Sequence, residues 1–528
     1  MLKFAAIFKD HAVLQREKET CIWGNSDGTT VTVELLDTNG GTVQKTETKV
    51  TDGRFEAKLP AMRAGGPFSL KVDDGTDITI INDIYFGEVW LAGGQSNMEL
   101  ELQNSRNGRE EVEKSDDKNI RFYYTQKVSF VGKELEEAEE VSCWQLCKPG
   151  ETAAWSAVGY YFAKKLAAEL DVMIGIIGCN WGGTSASCWV DRQSLESDPV
   201  LKTYTDSYDE AAAGVDIETF RPVWEEYQTY QAAFDKRVGE YYSTHENPTW
   251  AEALKLCGES RYPGPMGPMN FTRPNGLYES MLMRVAPYTL AGFIFYQGEE
   301  DDNRAYIYDR LLETLIKVWR RDFRDENLPF ILTQLPVFVN EGEEDFMNWP
   351  FIREAQSTVA SKVPNTYMAV TLELGEFQNI HPTDKKSVGD RLSELALFNV
   401  YGRKAGREPF APEYESHEIK DGKVYIRFAH CPDGLTLSDG APANTSELGF
   451  EIAGDDNVYH KAGVELSPDG GVVLSSPEVK DPAKARYFWK NFAPVYLFGH
   501  NGLPLAPFRT DRNDGAVALG SRQGELKE

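Results

Sequence analysis

The chain has 528 residues, 41 % of them hydrophobic and 26 % charged. At roughly 100–200 residues per domain this predicts a folded protein of about three or four domains and excludes a disordered or membrane-embedded chain. The 83 acidic and 55 basic residues give a formal net charge of −28, which repels polyanions and excludes nucleic acid or an anionic membrane as the main partner.

The start, Met1–Asp10, is too short of apolar residues for a signal sequence or a membrane span, so the expected location is cytoplasmic, or secreted if a leader has been removed. From Thr30 to Leu35, Val31, Val33 and Leu35 alternate with polar residues, and Asn39-Gly40 supplies a hairpin turn before Val43. Residues 1–85 therefore read as an N-terminal β-sandwich domain. Apolar runs then follow at Ile84–Leu91, Val172–Gly178, Leu290–Phe295, Pro329–Leu335 and Tyr367–Leu374. They have the composition of buried parallel strands. Between them Val158, Phe162, Leu166 and Leu170, then Tyr308, Leu312, Leu315 and Trp319, fall on helical stripes. Strand-helix alternation of this kind predicts an open α/β sheet over 86–402, with a polar helical insertion at about 198–262. From 403 to 528 the alternation of Val424, Ile426 and Phe428, and Asp469-Gly470 before Val472, predict a second β-rich domain.

In a parallel sheet, ligands sit outside the carboxyl ends of the strands, so residues just after each run are the ones to inspect. Ser96 follows the first run behind Gly93-Gly94 and is either a presented hydroxyl or a helix cap. Gly182-Gly183 ends the second run, and the N–H of Gly183 can approach a reacting oxygen or simply make a tight turn. Gln297, followed by four acids from Glu299 to Asp302, ends the third, and His381 follows the fifth, before a helix expected at Lys385–Tyr401. The seven cysteines and seven histidines lack recurrent metal spacing, including Cys143/Cys147 and Cys179/Cys188, so metal catalysis is not expected.

Four blocks in order, Gly94-Gln95-Ser96-Asn97-Met98, Trp181-Gly182-Gly183-Thr184, Tyr296-Gln297-Gly298-Glu299 and Ile380-His381-Pro382, resemble those of the sialate O-acetylesterase branch of the SGNH hydrolases, which also includes acetylxylan esterases. The flanks Phe8–Arg16 and Gly502–Asp511 resemble the family's opening and closing segments. The resemblance implies a three-layer α/β/α SGNH domain between two β-sandwich-like domains. It also implies Ser96 as nucleophile, His381 as general base, and an oxyanion hole from the N–H groups of Ser96 and Gly183 and the side chain of Gln297. The implied substrate is an acetylated sugar, with sialate 9-O-acetyl groups ahead of acetylated xylo- or manno-oligosaccharides. For an anionic sialate, Arg273 is the candidate cation. Related esterases often carry Asp three residues before the histidine, where this chain has Gln378. Hence a neutral group such as Gln378 or a backbone carbonyl, or a carboxylate of Glu376, Glu373 or Asp384, is expected to orient His381. A glycan-binding protein with an inactive hydrolase domain is the reading from another class.

Overall fold

The structure, a computed structural model, describes residues 1–245, 250–339, 345, 347–404, 408–467 and 470–511, without the side chains of 250 and 251. Asp469 of the expected turn, residues 246–249 of the insertion and 512–528 of the C-terminal region lie outside the described residues.

The organising element is one long strand, Ile78–Gly94, whose two halves face different surroundings. Its first half alternates between exposed and buried positions, while its last nine residues are all buried, as expected of a strand that leaves a one-faced antiparallel region for the centre of a two-faced parallel one. In the first half it pairs antiparallel with Gly65–Asp73, which pairs in turn with Thr30–Leu36. In the second half it lies between Ile174–Asn180 and Gly292–Tyr296, both parallel to it. The central order is Trp144–Cys147, Asp117–Tyr124, Ile174–Asn180, Ile78–Gly94, Gly292–Tyr296, Phe330–Thr333 and Thr366–Ala369, within one eleven-stranded sheet. The edge strand Trp144–Cys147 alone in this order runs antiparallel to its neighbour.

Both faces are covered. Trp90 packs on Phe162 of the helix Ala157–Leu170, at 5.1 Å between rings. On the opposite face the Trp319 ring of the helix Tyr308–Asp322 occupies the place a side chain on Gly93 would take. The expected three-layer α/β/α class, with β-rich regions on either side, is thus the observed one. Each of the five apolar runs overlaps a strand of this sheet. Asp117–Tyr124, which no periodicity announced, is a sixth. Its buried Arg121 donates to His11 O at 2.7 Å and pairs with Asp83 at 2.8 Å, so a charge sits inside where hydropathy predicts an apolar residue.

A three-stranded sheet of Leu2–Phe4, Thr20–Ser26 and Arg54–Leu59 completes the N-terminal β region. The C-terminal β region contains two four-stranded sheets. It is fastened to the centre by the fully buried Arg353, which donates to Leu335 O, Pro336 O, Lys490 O and Asn491 O at 2.8–3.0 Å. Among the described residues no helix is long and apolar enough to cross a membrane.

Candidate active site

Three consecutive strand ends converge at one edge of the sheet. The strand Ile78–Gly94 turns at Gly94 (φ +136°) into a short helix beginning at Ser96. A Cβ on Gly94 would lie 2.1 Å from Tyr296 O, so only glycine lets the neighbouring strand end approach this closely. Ser96 faces the turn after Ile174–Asn180, where a Cβ on Gly182 would lie 3.1 Å from that of Ser96. Gly182 N–H donates to Glu99 Oε2 at 2.5 Å. Gly183 has φ +69°, and neither its N–H nor that of Ser96 has an acceptor among the described residues.

His381 arrives on a loop rather than a strand end, and its Nε2 lies 2.8 Å from Ser96 Oγ. Asn97 joins the two halves: its amide donates to Ile380 O at 2.9 Å and to Glu299 Oε1 at 2.6 Å, while its oxygen accepts from Lys385 Nζ. Burial, with the Lys385 charge adding to it against Glu99, pulls the His381 pKa down to about 4. The imidazole is therefore neutral at physiological pH and can accept a proton. Burial also brings Lys385 down to about 7, against the opposing pull of Glu299.

The residues expected to orient His381 do other things. Glu376 accepts from Thr383 N at 2.8 Å, Thr383 Oγ1 at 2.7 Å and Asn379 Nδ2 at 2.7 Å. It closes the loop around His381 without touching the ring. Gln378 takes a left-handed φ of +64° and donates its N–H to Val339 O at 3.2 Å. Glu373 is held by Arg391, and Asp384 caps the helix Lys385–Asn399 through Ser387 N at 3.0 Å. Among the described residues no hydrogen-bond partner reaches Nδ1 of His381.

Gln297 also departs from expectation. It is 1 % exposed, and its amide nitrogen donates to Thr184 O at 3.2 Å and Asp301 Oδ2 at 2.6 Å, while its oxygen accepts from Tyr308 at 2.7 Å. Both amide hydrogens are engaged, so the side chain braces the turn that carries Gly183 instead of offering a donor to a ligand. Asp301 makes the same connection, accepting from Ser185 Oγ at 2.6 Å and Ala186 N at 2.8 Å. Arg273 points its guanidinium at Glu279, 3.0 Å away, and contacts neither Ser96 nor His381.

Sequence reasoning missed Asn97, Glu99, Lys385 and Tyr262, whose hydroxyl donates to Gly183 O. A signal existed for Lys385, since a lysine at the start of a helix opposes the helix dipole and calls for a reason. For the others, contact partners far away in sequence carry the meaning.

A neutral imidazole on a serine hydroxyl, beside free backbone N–H groups at the carboxyl end of a parallel sheet, is the arrangement of a serine hydrolase. Residues 267–397 match the family profile described as carbohydrate esterase, sialic acid-specific acetylesterase. The sialate O-acetylesterase of Mus musculus is 29 % identical over 436 residues, covering 76 % of this chain and 74 % of that protein. The one of Homo sapiens is 27 % identical over 438 residues, covering 76 % and 72 %. A solved carbohydrate acetylesterase from Xanthomonas citri superposes with a TM-score of 0.74 at 27 % identity, covering 97 % of this chain and all of that one. The resemblance in the four blocks is borne out: the chain is a carbohydrate esterase, a carboxylic ester hydrolase related to the sialate O-acetylesterases.

Proposed function

We propose that the chain removes acetyl groups from sugar hydroxyls, with Ser96 as nucleophile and His381 as general base. The observation that carries this reading is the 2.8 Å approach of His381 Nε2 to Ser96 Oγ. His381 takes the Ser96 proton as Oγ attacks the acetyl carbonyl carbon, and the oxyanion accepts from the N–H groups of Ser96 and Gly183. Collapse of that adduct breaks the ester C–O bond, and the departing sugar oxygen takes the proton from His381. Water, giving a proton to the same nitrogen, then releases acetate and restores Ser96. Serine, histidine and water suffice, so the chemistry calls for no cofactor. The His381 pair works as a dyad, because the carboxylates within reach brace the loop and leave the imidazole untouched. We assign this chemistry to 86–402, with the β regions 1–85 and 403–528 as its flanks. The seven cysteines are all free thiols, which favours the reducing cytoplasm.

The proposed substrate is an O-acetylated sialic acid, the substrate class in the names of the matched relatives, with the 9-O-acetyl group as the proposed position. A second reading, neutral acetylated xylo- or manno-oligosaccharides, is favoured by one observation: the guanidinium of Arg273, the candidate for the sialate carboxylate, is held by Glu279. Acetate release from a panel of O-acetylated sialate, xylan and mannan fragments, with Ser96→Ala as control, tests both. Release by the parent from none of them would leave the inactive glycan-binding reading.

A further inference from the structure

We infer that Tyr262, carried in by the segment that closes the helical insertion, is a positioning residue that aims the N–H of Gly183 at the oxyanion; this rests on the Ser96 reading above. The insertion comprises the helices Lys202–Ala211, Ile217–Thr244 and Trp250–Cys257. Phe220, Trp224 and Tyr227 of the long helix form a small apolar cluster with Phe130 and Met269, separate from the main core. The chain leaving the insertion lies on that cluster: a Cβ on Gly264 would lie 2.6 Å from the Tyr227 ring. Asn270 ties the turn together by donating to Pro263 O and Pro265 O, both at 3.0 Å. Phe271 then stacks on Trp181, at 4.9 Å and 8° between planes.

Tyr262 is thereby laid across the Trp181–Gly183 turn from above. Its hydroxyl donates to Gly183 O, and its ring occupies the space a Cβ on Gly183 would need, with approaches of 2.7–3.0 Å. On the other side Gly182 N–H is fixed by Glu99 at 2.5 Å. The peptide that carries the N–H of Gly183 lies between these two anchors, which hold the peptide groups on either side of it. Beside it, burial pushes the Glu300 carboxyl up to about 7, against the opposing pull of the Tyr262 hydroxyl. The insertion is on this account the outer support of the oxyanion hole.

Tyr262→Phe keeps the ring and removes only the hydroxyl. The test measures kcat and KM on an acetylated substrate, the thermal midpoint, and the rate at which a fluorophosphonate labels Ser96, since its phosphoryl oxygen seeks the same donors. The expected result is a fall of about 10-fold in kcat with a parallel fall in labelling rate, KM within about twofold and an unchanged midpoint, a loss smaller than removing an oxyanion donor outright. A kcat within about twofold of the parent, or a loss confined to KM, would overturn the inference. Ser96→Ala in the same assays reports separately on the underlying reading: retained acetate release or labelling there defeats the Ser96 assignment whatever Tyr262→Phe does.

Discussion

The two halves of the site are built by different means. Ser96 is set by backbone alone: a central strand, a glycine turn packed against Tyr296 O and parallel neighbours on both sides fix it. His381 sits on a loop whose shape depends on side chains, with Glu376 bonded across it, Asn97 holding Ile380 O, and Phe377 resting on Phe492 of the C-terminal region at 5.1 Å. The segment after the strand Phe330–Thr333 also leans on the C-terminal region, where Asn491 O accepts from Phe338 N at 3.0 Å. A nucleophile held by backbone survives most side-chain changes around it, whereas a base held by side chains can be misplaced from a distance. The difference gives the two halves separate weak points.

The largest effect should come from the chemistry itself. Ser96→Ala is expected to lower kcat by about 10⁴-fold or more with the thermal midpoint unchanged, read by acetate release. His381→Ala should be comparably severe, and a variant that kept most of its rate would move the base elsewhere. Next comes the brace between the halves: Asn97→Ala removes the bond to Ile380 O and strands Lys385 and Glu299 without their shared partner. It should therefore cost both stability and about 10²-fold or more in kcat.

Glu376→Gln tests the histidine loop alone. Burial raises the Glu376 pKa, but the hydrogen bonds from Thr383 and Asn379 outweigh it and hold the carboxyl below its ordinary value. Its contribution is thus present above the ordinary carboxylate pKa and is lost as pH falls through the lower, folded value. The expected outcome is a fall of about 10-fold in kcat with little change in KM, since the loop loses a charge-assisted acceptor while the serine half stays put. Were Glu376 instead a third member of the catalytic set, the loss would approach that of the aspartate in a triad, about 10⁴-fold.

The pH profile separates these cases. A base must be neutral, and with the His381 pKa near 4 the acid limb should lie near pH 4, with the plateau reached by about pH 5–6. Lys385→Gln removes the cation that helps depress this pKa, so its acid limb should move to higher pH. The smallest catalytic effect is expected at Gln297→Ala. With both amide hydrogens bound to Thr184 O and Asp301, the change should appear first as a loss of folding stability of about 1–3 kcal/mol for unsatisfied buried partners, read as a lower thermal midpoint. A kcat loss of 10²–10³ without loss of stability would restore it as a direct oxyanion donor.

Five of the sheet strands, two of the helices that cover them and the strand-end positions of Ser96 and Gly183 were legible in the sequence. Continuous burial leaves runs of apolar residues, and a sharp strand end leaves glycine; both are local signals that need no knowledge of the partner. The strand Asp117–Tyr124 was not legible, because its inward Arg121 is satisfied by Asp83 and His11 O from a distant part of the chain. Nor was the duty of Gln297, Glu376 or Arg273. A polar side chain advertises its capacity to donate or accept but not the group that has taken it up, and Thr184, Thr383 and Glu279 took these. The tertiary structure alone brought Lys385 to Asn97 and Tyr262 to Gly183, the latter across 79 residues of chain. Sequence fixes which chemistry a residue can perform, and only packing in three dimensions decides whether its hydrogen bonds are left free to perform it.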